Sequence, residues 1–359
     1  MVREVSFRAV LVALALPSIA CYLLLVRSTP HLAEEEALPY LDLGSCPSCG
    51  GGGGDGGVEE DLQAFSAAPY DLPDDPWWAG WAQVQRSRRE ALRLACLQFH
   101  GARVKSFSKL LLFRKYLYNL LVDDRHRAIY CYVPKVACTN WKRLMMILSG
   151  RTNETNPLNI SSHIPHEEGV LTRLSSARYK TSVLSYKLRT YTKFLFVRHP
   201  MERLVSAYRN KLASNSSSAT DFRRRFGSTM LKVRRGVGAF HNVSKAGRGV
   251  TFAEFVYYLI ERSYTGGQQS LNEHWAPYFD LCHPCTIRYD NIGKYETLEE
   301  DAEFILRKIG ARPDLHFPPF VNSKTASLVP GYLATLTEDM SKKLYELYKP
   351  DFALFQYEP

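Results

Sequence analysis

Tyr130-Cys-Tyr-Val-Pro-Lys-Val-Ala-Cys-Thr-Asn-Trp-Lys-Arg143 reads as three pieces in succession. Ala128 to Val133 is an apolar run that Pro134 closes, which predicts a buried strand. Asn140 to Leu148 places Trp141, Leu144, Met145 and Leu148 on one face, which predicts an amphipathic helix with Gly150 as its stop. Between them lies Lys135-Val-Ala-Cys-Thr-Asn140. Small residues there let the backbone approach an anion. N–H groups at the helix start, the helix dipole, the Thr139 hydroxyl and the Lys135 charge all favour a phosphate. Taken alone, the same pattern also fits an ordinary strand–helix turn.

A second segment removes that ambiguity. Phe194-Leu-Phe-Val-Arg-His-Pro-Met-Glu-Arg-Leu-Val-Ser-Ala-Tyr-Arg-Asn-Lys211 predicts a strand over 193–197 and a helix over 201–212. Arg198 falls at the strand's C-terminal edge, where open α/β sheets bind ligands. Ser206 lies one to two turns into the helix, and an arginine with a hydroxyl makes a phosphate clamp. Glu202 reads as a helix N-terminal charge, and Arg203, Arg209 and Lys211 as surface charges or pair partners. Two strand–loop–helix units aimed at one crevice can hold a ligand with phosphates at both ends. The nucleotide-triphosphatase loop G-x-x-x-x-G-K-[ST] does not occur, which argues against a kinase or triphosphatase.

The net charge of +10 suits a polyanionic partner. No nucleic-acid signature accompanies it, and the run Arg223 to Arg225 reads first as a solvated face. Ala9 to Val26 is uncharged and mostly apolar, preceded by Arg3 and Arg8 and followed by Glu34 to Glu36. This predicts a type II signal anchor over 9–26 behind a short cytoplasmic tail, 1–8, with the remainder lumenal. A cleaved signal peptide ending near Ala20 is the competing reading. Residues 27–76 are rich in glycine, proline and acid, the composition of a flexible stem. The folded part is placed at 77–359. Sequons at Asn153, Asn159, Asn215 and Asn242 agree with a lumenal domain. Of the eight cysteines, Cys282 and Cys285 suggest a structural disulfide within or near that pair, and Cys138 reads as the free one.

The two segments resemble the 5′-phosphosulfate and 3′-phosphate binding elements of Golgi carbohydrate sulfotransferases. The nearest group contains the chondroitin and dermatan 4-O-, N-acetylgalactosamine 4-O- and HNK-1 sulfotransferases, and the spelling is most similar to the chondroitin 4-O enzymes. The resemblance runs from about Arg88 to Tyr357. It includes Asn272-Glu-His-Trp-Ala-Pro277, Leu281-Cys-His-Pro-Cys285 and the stretch from Tyr289 to Asp301. One position departs from it: the family has an acidic residue after the arginine, where this chain has His199.

The resemblance implies an α/β, sulfotransferase-type, P-loop-like fold with a central parallel sheet flanked by helices, in a Golgi membrane protein. It implies 3′-phosphoadenosine 5′-phosphosulfate (PAPS) as co-substrate, no metal, and an acidic glycosaminoglycan or glycan as acceptor. The implied activity is sulfation of position 4 of N-acetylgalactosamine in chondroitin. Dermatan, N-glycan and glucuronyl 3-O acceptors are same-class alternatives, and a non-catalytic glycosaminoglycan-binding membrane protein is the alternative of another class. Lys135, Val136, Ala137, Cys138, Thr139, Asn140 and Trp141 fall on the 5′ element, and Arg198 and Ser206 on the 3′ element. Sulfuryl transfer asks for positioning, charge stabilisation and a base. Lys135 is the expected stabiliser, and His166 and His274 are the expected bases, ahead of Glu167 and Glu273. Arg209, Lys211 and Arg223 to Arg225 are candidates for an acceptor groove.

Local patterns add three expectations. A helix covers 81–98. A strand covers 286–295, followed by a capping box at Thr297 and a helix to Ile309. A last helix runs from Thr337 until Pro350 ends it.

Overall fold

Four short strands carry the architecture, and their order is their order in the chain: β1 (Leu120–Asp123), β2 (Ala128–Cys131), β3 (Thr192–Val197) and β4 (Asn291–Lys294). The computed structural model describes residues 75–99, 104–239, 247–265, 271–319 and 323–359. The anchor expected at 9–26 and nearly all of the stem lie outside the described residues. Among the described residues no helix is long and apolar enough to cross a membrane.

β2 pairs with β3 and β3 with β4 in parallel, in register Tyr130↔Phe194 and Phe196↔Gly293. The expected central parallel sheet is present in β2, β3 and β4, and β1 adds an edge strand that pairs antiparallel with β2. The reason is the short turn after Asp123, closed by Arg127 at φ 47, because so brief a link permits only a hairpin. The strand residues are almost all buried, as expected for a sheet covered on both faces.

The helix Cys138–Leu148 docks on the sheet through Trp141, whose ring lies 4.8 Å from Phe194 and 4.9 Å from Phe196. Gly150, at φ 64, ends that helix, and the next amide, Arg151, bonds back to Met146. A second apolar cluster lies under the helices Pro200–Tyr208, Phe252–Thr265 and Glu338–Phe355.

Several expected boundaries move, each for a local reason. The first helix is Pro76–Cys96, because the Asp75 side chain caps Trp77 N–H and Pro76 takes the first position. The strand expected over 286–295 shrinks to β4, since Thr286 and Ile287 N–H turn back to the His283 carbonyl. Thr297 makes no capping box at Leu298–Lys308. Its hydroxyl donates instead to Asp301, a fully buried acid that also accepts from Arg88, Gln85 and Lys294 N–H. Pro350 does not end the last helix, which continues to Phe355. Burial of Phe352, Leu354 and Phe355, with Asp351 accepting Tyr278 and Phe279 N–H, outweighs the hydrogen bond that proline removes.

Cys282 and Cys285 do not join one another: Cys131 bonds Cys282 and Cys96 bonds Cys285. Cys138 is free and buried.

Candidate active site

β2 ends at Cys131, short of the expected Val133, and at Pro134 the chain turns sharply. Lys135 (φ 74) and Ala137 (φ 53) both occupy the left-handed region, unusual for residues with a Cβ. Such turns of the backbone aim successive N–H groups into one concavity. The helix that follows has Ala137 as its N-cap, with no side chain to satisfy the first amides. An anion is the natural partner for those groups and for the positive helix end.

The loop's side chains divide between site and core. Lys135 is half-buried and lines a cavity of about 460 Å³ with Ser206, Arg209, Asn210, Ala213, Ser214 and Tyr332. Thr139 Oγ1 meets His166 Nε2 at 3.0 Å. Asn140 Oδ1 accepts from Arg143 Nη1 at 3.0 Å, and Val136 is buried. Trp141 lies in the core rather than on the crevice: its indole is fully buried and its amide bonds the Ala137 carbonyl. The Cys138 thiol is pushed above its ordinary pKa by burial.

Arg198 is almost wholly buried beneath the second unit. Its Nε and Nη2 reach Glu202 Oε2 at 3.1 and 2.8 Å, and Nη2 also reaches Ser323 Oγ at 2.7 Å. Its guanidinium lies 4.2 Å from the Tyr295 ring centre. Glu202, four residues along the helix, therefore holds Arg198. His199 does not: its Nε2 meets the Glu358 carbonyl at 2.9 Å, and its ring packs edge-on to Phe352 and Tyr357. After Tyr208 the helix widens into a π turn, Arg209–Ala213, a distortion that often marks functional sites and here supplies three of the cavity-lining residues.

Cations crowd this crevice. Lys135 is pulled down to about 8, first by burial and then by Lys211 and Arg198, with Cys138 opposing. Lys142 and Lys211 are lowered too, chiefly by burial. Among the described residues none of these three lysines has a carboxylate within ion-pairing distance. His166 faces Lys142 Nζ across 3.3 Å through Nδ1. Desolvation of its ring, then Lys142, Lys211, Arg143 and Arg173, pushes it down to about 4. The residue keeps over a third of its surface open, so the surrounding cations are the firmer cause. His274 is pushed down to about 2 by burial and then by Lys211, Lys135, Arg203 and His166. Its Nδ1 meets Asn272 Oδ1 at 2.9 Å, and its ring lies 4.8 Å from Phe222. Both imidazoles are neutral near pH 7 and sit within one field.

Several residues at this site differ from, or go beyond, what the sequence predicts. Lys142 stands three positions after Thr139, on the same helical face, and that spacing was the available signal. Its Nζ lies 3.8 Å from the Tyr132 ring centre. Glu273 accepts the Tyr132 hydroxyl at 2.8 Å. Arg203, expected as a surface charge or a pair partner, is buried, and donates to the carbonyls of Pro134, Ala276 and Glu273 at 3.1, 2.7 and 2.8 Å. No local pattern separates such an arginine from a surface one. Arg223 is likewise buried and bonded to Thr220, and Arg224 is paired with Asp221. Glu167 lies on the exposed side of its turn, 3.8 Å from His163.

Residues 118–358 match the sulfotransferase family. The chain is 44% identical over 243 residues to carbohydrate sulfotransferase 11 of Rattus norvegicus, covering 67% of each chain. It is 40% identical over 289 residues to the Danio rerio protein of the same name, covering 79% of each. To carbohydrate sulfotransferase 12 of Mus musculus it is 36% identical over 318 residues, 84% of this chain and 74% of that one. No solved structure matches. A phosphate-shaped loop, two neutral imidazoles and a surplus of unpaired lysines, in a chain so related, place it in the sulfotransferase family, as an enzyme that uses PAPS to sulfate carbohydrate.

Proposed function

We propose that the protein transfers sulfate from PAPS to position 4 of N-acetylgalactosamine in chondroitin. The observation that carries this reading is the cluster of Lys135, Lys142 and Lys211, unpaired by acid, around the Thr139–His166 contact. Lysines without an ion-pair partner, Lys142 buried and Lys135 and Lys211 partly so, repel one another until a polyanion arrives. The donor supplies a phosphosulfate and a 3′-phosphate, and chondroitin is itself an acid chain. The similarity to proteins named carbohydrate sulfotransferase 11 supports the acceptor class.

The amides of Val136 to Asn140 and the Thr139 hydroxyl hold the 5′-phosphosulfate end. Ser206 and Arg198 hold the 3′-phosphate; among the described residues Arg198 Nη1 has no acceptor, while Nε and Nη2 are engaged by Glu202 and Ser323. Lys135 stands where charge develops as adenosine 3′,5′-bisphosphate departs, and a preorganised cation there lowers the barrier. His166 takes the proton of the attacking hydroxyl through an imidazole nitrogen, for which its neutral form is required. The phosphate charges of the donor offset the lysines that hold His166 below its ordinary pKa, so its basicity rises once the donor is seated. No step calls for a metal.

We also propose that the chain is a type II Golgi membrane protein with tail 1–8, anchor 9–26, stem 27–76 and lumenal catalytic part 77–359. The Arg3 and Arg8 flank supports this orientation. Two disulfides in the folded part suit an oxidising lumen.

The test is transfer from labelled PAPS to desulfated chondroitin, dermatan and N-glycan acceptors, with product analysis of the sulfated position. Sulfate at position 4 of chondroitin, lost in Lys135→Ala and His166→Ala, is expected. Activity that survives His166→Ala and disappears in His274→Ala would reassign the base. Transfer to none of the acceptors by folded protein would refute the reading.

A further inference from the structure

We propose that Arg173 is the subsite for the uronic acid carboxylate next to the accepted sugar. The inference rests on the acceptor class proposed above. Residues 172–174 lie along β1 as an extra edge segment: Val122 N–H bonds the Thr172 carbonyl, Leu174 N–H bonds the Leu120 carbonyl, and Arg173 bridges Leu121. This fixes the backbone from which the arginine projects.

Its side chain is fixed as well. The guanidinium lies 4.0 Å from the ring centre of Tyr118, a half-exposed aromatic at 48%. Nη1 donates to the Tyr118 carbonyl at 3.1 Å and to the Tyr132 hydroxyl at 2.9 Å. Among the described residues Nε and Nη2 have no acceptor, and none of the carboxylates lies within ion-pairing distance of the guanidinium. An arginine held by one nitrogen offers its Nε–Nη2 edge as a fork that matches a carboxylate in two parallel hydrogen bonds. Stacking on Tyr118 orients that fork without neutralising it.

Position relative to the chemistry completes the argument. The Tyr132 hydroxyl that Arg173 touches belongs to the ring under Lys142, and Lys142 touches His166. Arg173 thus stands at the His166 side of the crevice, away from the cavity shared by Lys135 and Ser206. A glycosaminoglycan that presents an N-acetylgalactosamine hydroxyl to His166 carries a uronate on the adjoining sugar. An uncharged glycan lacks it, so the contact sets specificity.

The experiment compares desulfated chondroitin with the same polymer after carboxyl reduction, for wild type, Arg173→Ala and Arg173→Lys. Desulfation removes sulfate esters as the rival source of negative charge. The wild type is expected to prefer the carboxylated polymer, and Arg173→Ala to lower kcat/KM on it by roughly 10- to 100-fold, mainly through KM. On the reduced polymer the same variant should lose several-fold less than on the carboxylated one, the remaining change reflecting the Arg173 charge that His166 feels. Arg173→Lys should recover part of the loss, since it keeps charge and lacks the fork. Affinity for adenosine 3′,5′-bisphosphate should be unchanged in both variants. An equal loss on both polymers would mean a structural role and overturn the subsite, as would a wild type indifferent to carboxyl reduction. A wild type that transfers to neither polymer yet sulfates another glycan would remove the acceptor reading and the subsite with it.

Discussion

Raising the pH above 8 should loosen the enzyme's hold on adenosine 3′,5′-bisphosphate, and Lys135 should be the cause. In the free site its amine has a pKa of about 8, because burial disfavours the charge and Lys211 and Arg198 repel it. A bound phosphate reverses that balance and returns the amine towards its ordinary value of about 10.4. Binding then requires a protonated lysine, and above pH 8 the free protein must take up a proton to provide one. The sign follows: affinity is full below 8 and falls as the pH rises towards the bound-state value. Between pH 7 and 9.5 the dissociation constant should grow roughly 30-fold, about 2 kcal/mol. Calorimetric titration at fixed ionic strength measures it, and repeating it in buffers of different ionisation heat counts the protons taken up. Lys135→Arg keeps the charge at every pH and should flatten the profile. A flat profile in the wild type, or an equal slope in Lys135→Arg, would refute the reasoning.

Three further outcomes are predicted. Acidification from pH 7 to 5 should lower the melting temperature. His166, His274 and His283 are held below the ordinary histidine range when folded, so the unfolded chain takes up protons first and the stability present above about 6.5 is lost as pH falls; a flat or rising Tm would contradict this. Asp351→Ala should cost about 2–4 kcal/mol in denaturant unfolding, because it strands two buried amides, and Asp351→Asn should recover part of that. Gly293→Ala should destabilise by about 1–3 kcal/mol, since a Cβ there meets the Phe196 ring in the neighbouring strand, and an unchanged midpoint would show that β3 and β4 can separate freely.

The parts of this fold that were legible in the sequence are those set by local chemistry. β2, the Lys135 loop, the Trp141 helix and β3 each declare themselves by an apolar run, a breaker and a helical stripe. What was misread depends on distant partners. β1 is a four-residue strand that counts as one only beside β2. Pro350 looks like a stop because its compensation comes from Tyr278 and Phe279, more than seventy residues earlier. Of the candidate site, Lys135 and Thr139 are proposed from the loop pattern, and His166 and His274 from the resemblance and from the chemistry of a base near neutral pH. Lys142, Arg173 and Glu273 gain their meaning from Tyr132, which draws them together from three separate segments.

Arg203 shows how far function in this molecule extends beyond its substrates. Its three hydrogen bonds join the start of the Lys135 loop, at Pro134, to the turn that carries Glu273 and His274. One side chain thus sets the gauge between the two halves of the crevice, from a position with almost no exposed surface. Arg203→Ala is expected to lower turnover while leaving every candidate catalytic side chain in place, which kcat measured beside adenosine 3′,5′-bisphosphate affinity would check. Surveys of variant effect that rank residues by their distance to a docked ligand would pass over it. The span between loop and turn, more than any single group at the surface, is what such a variant would spoil.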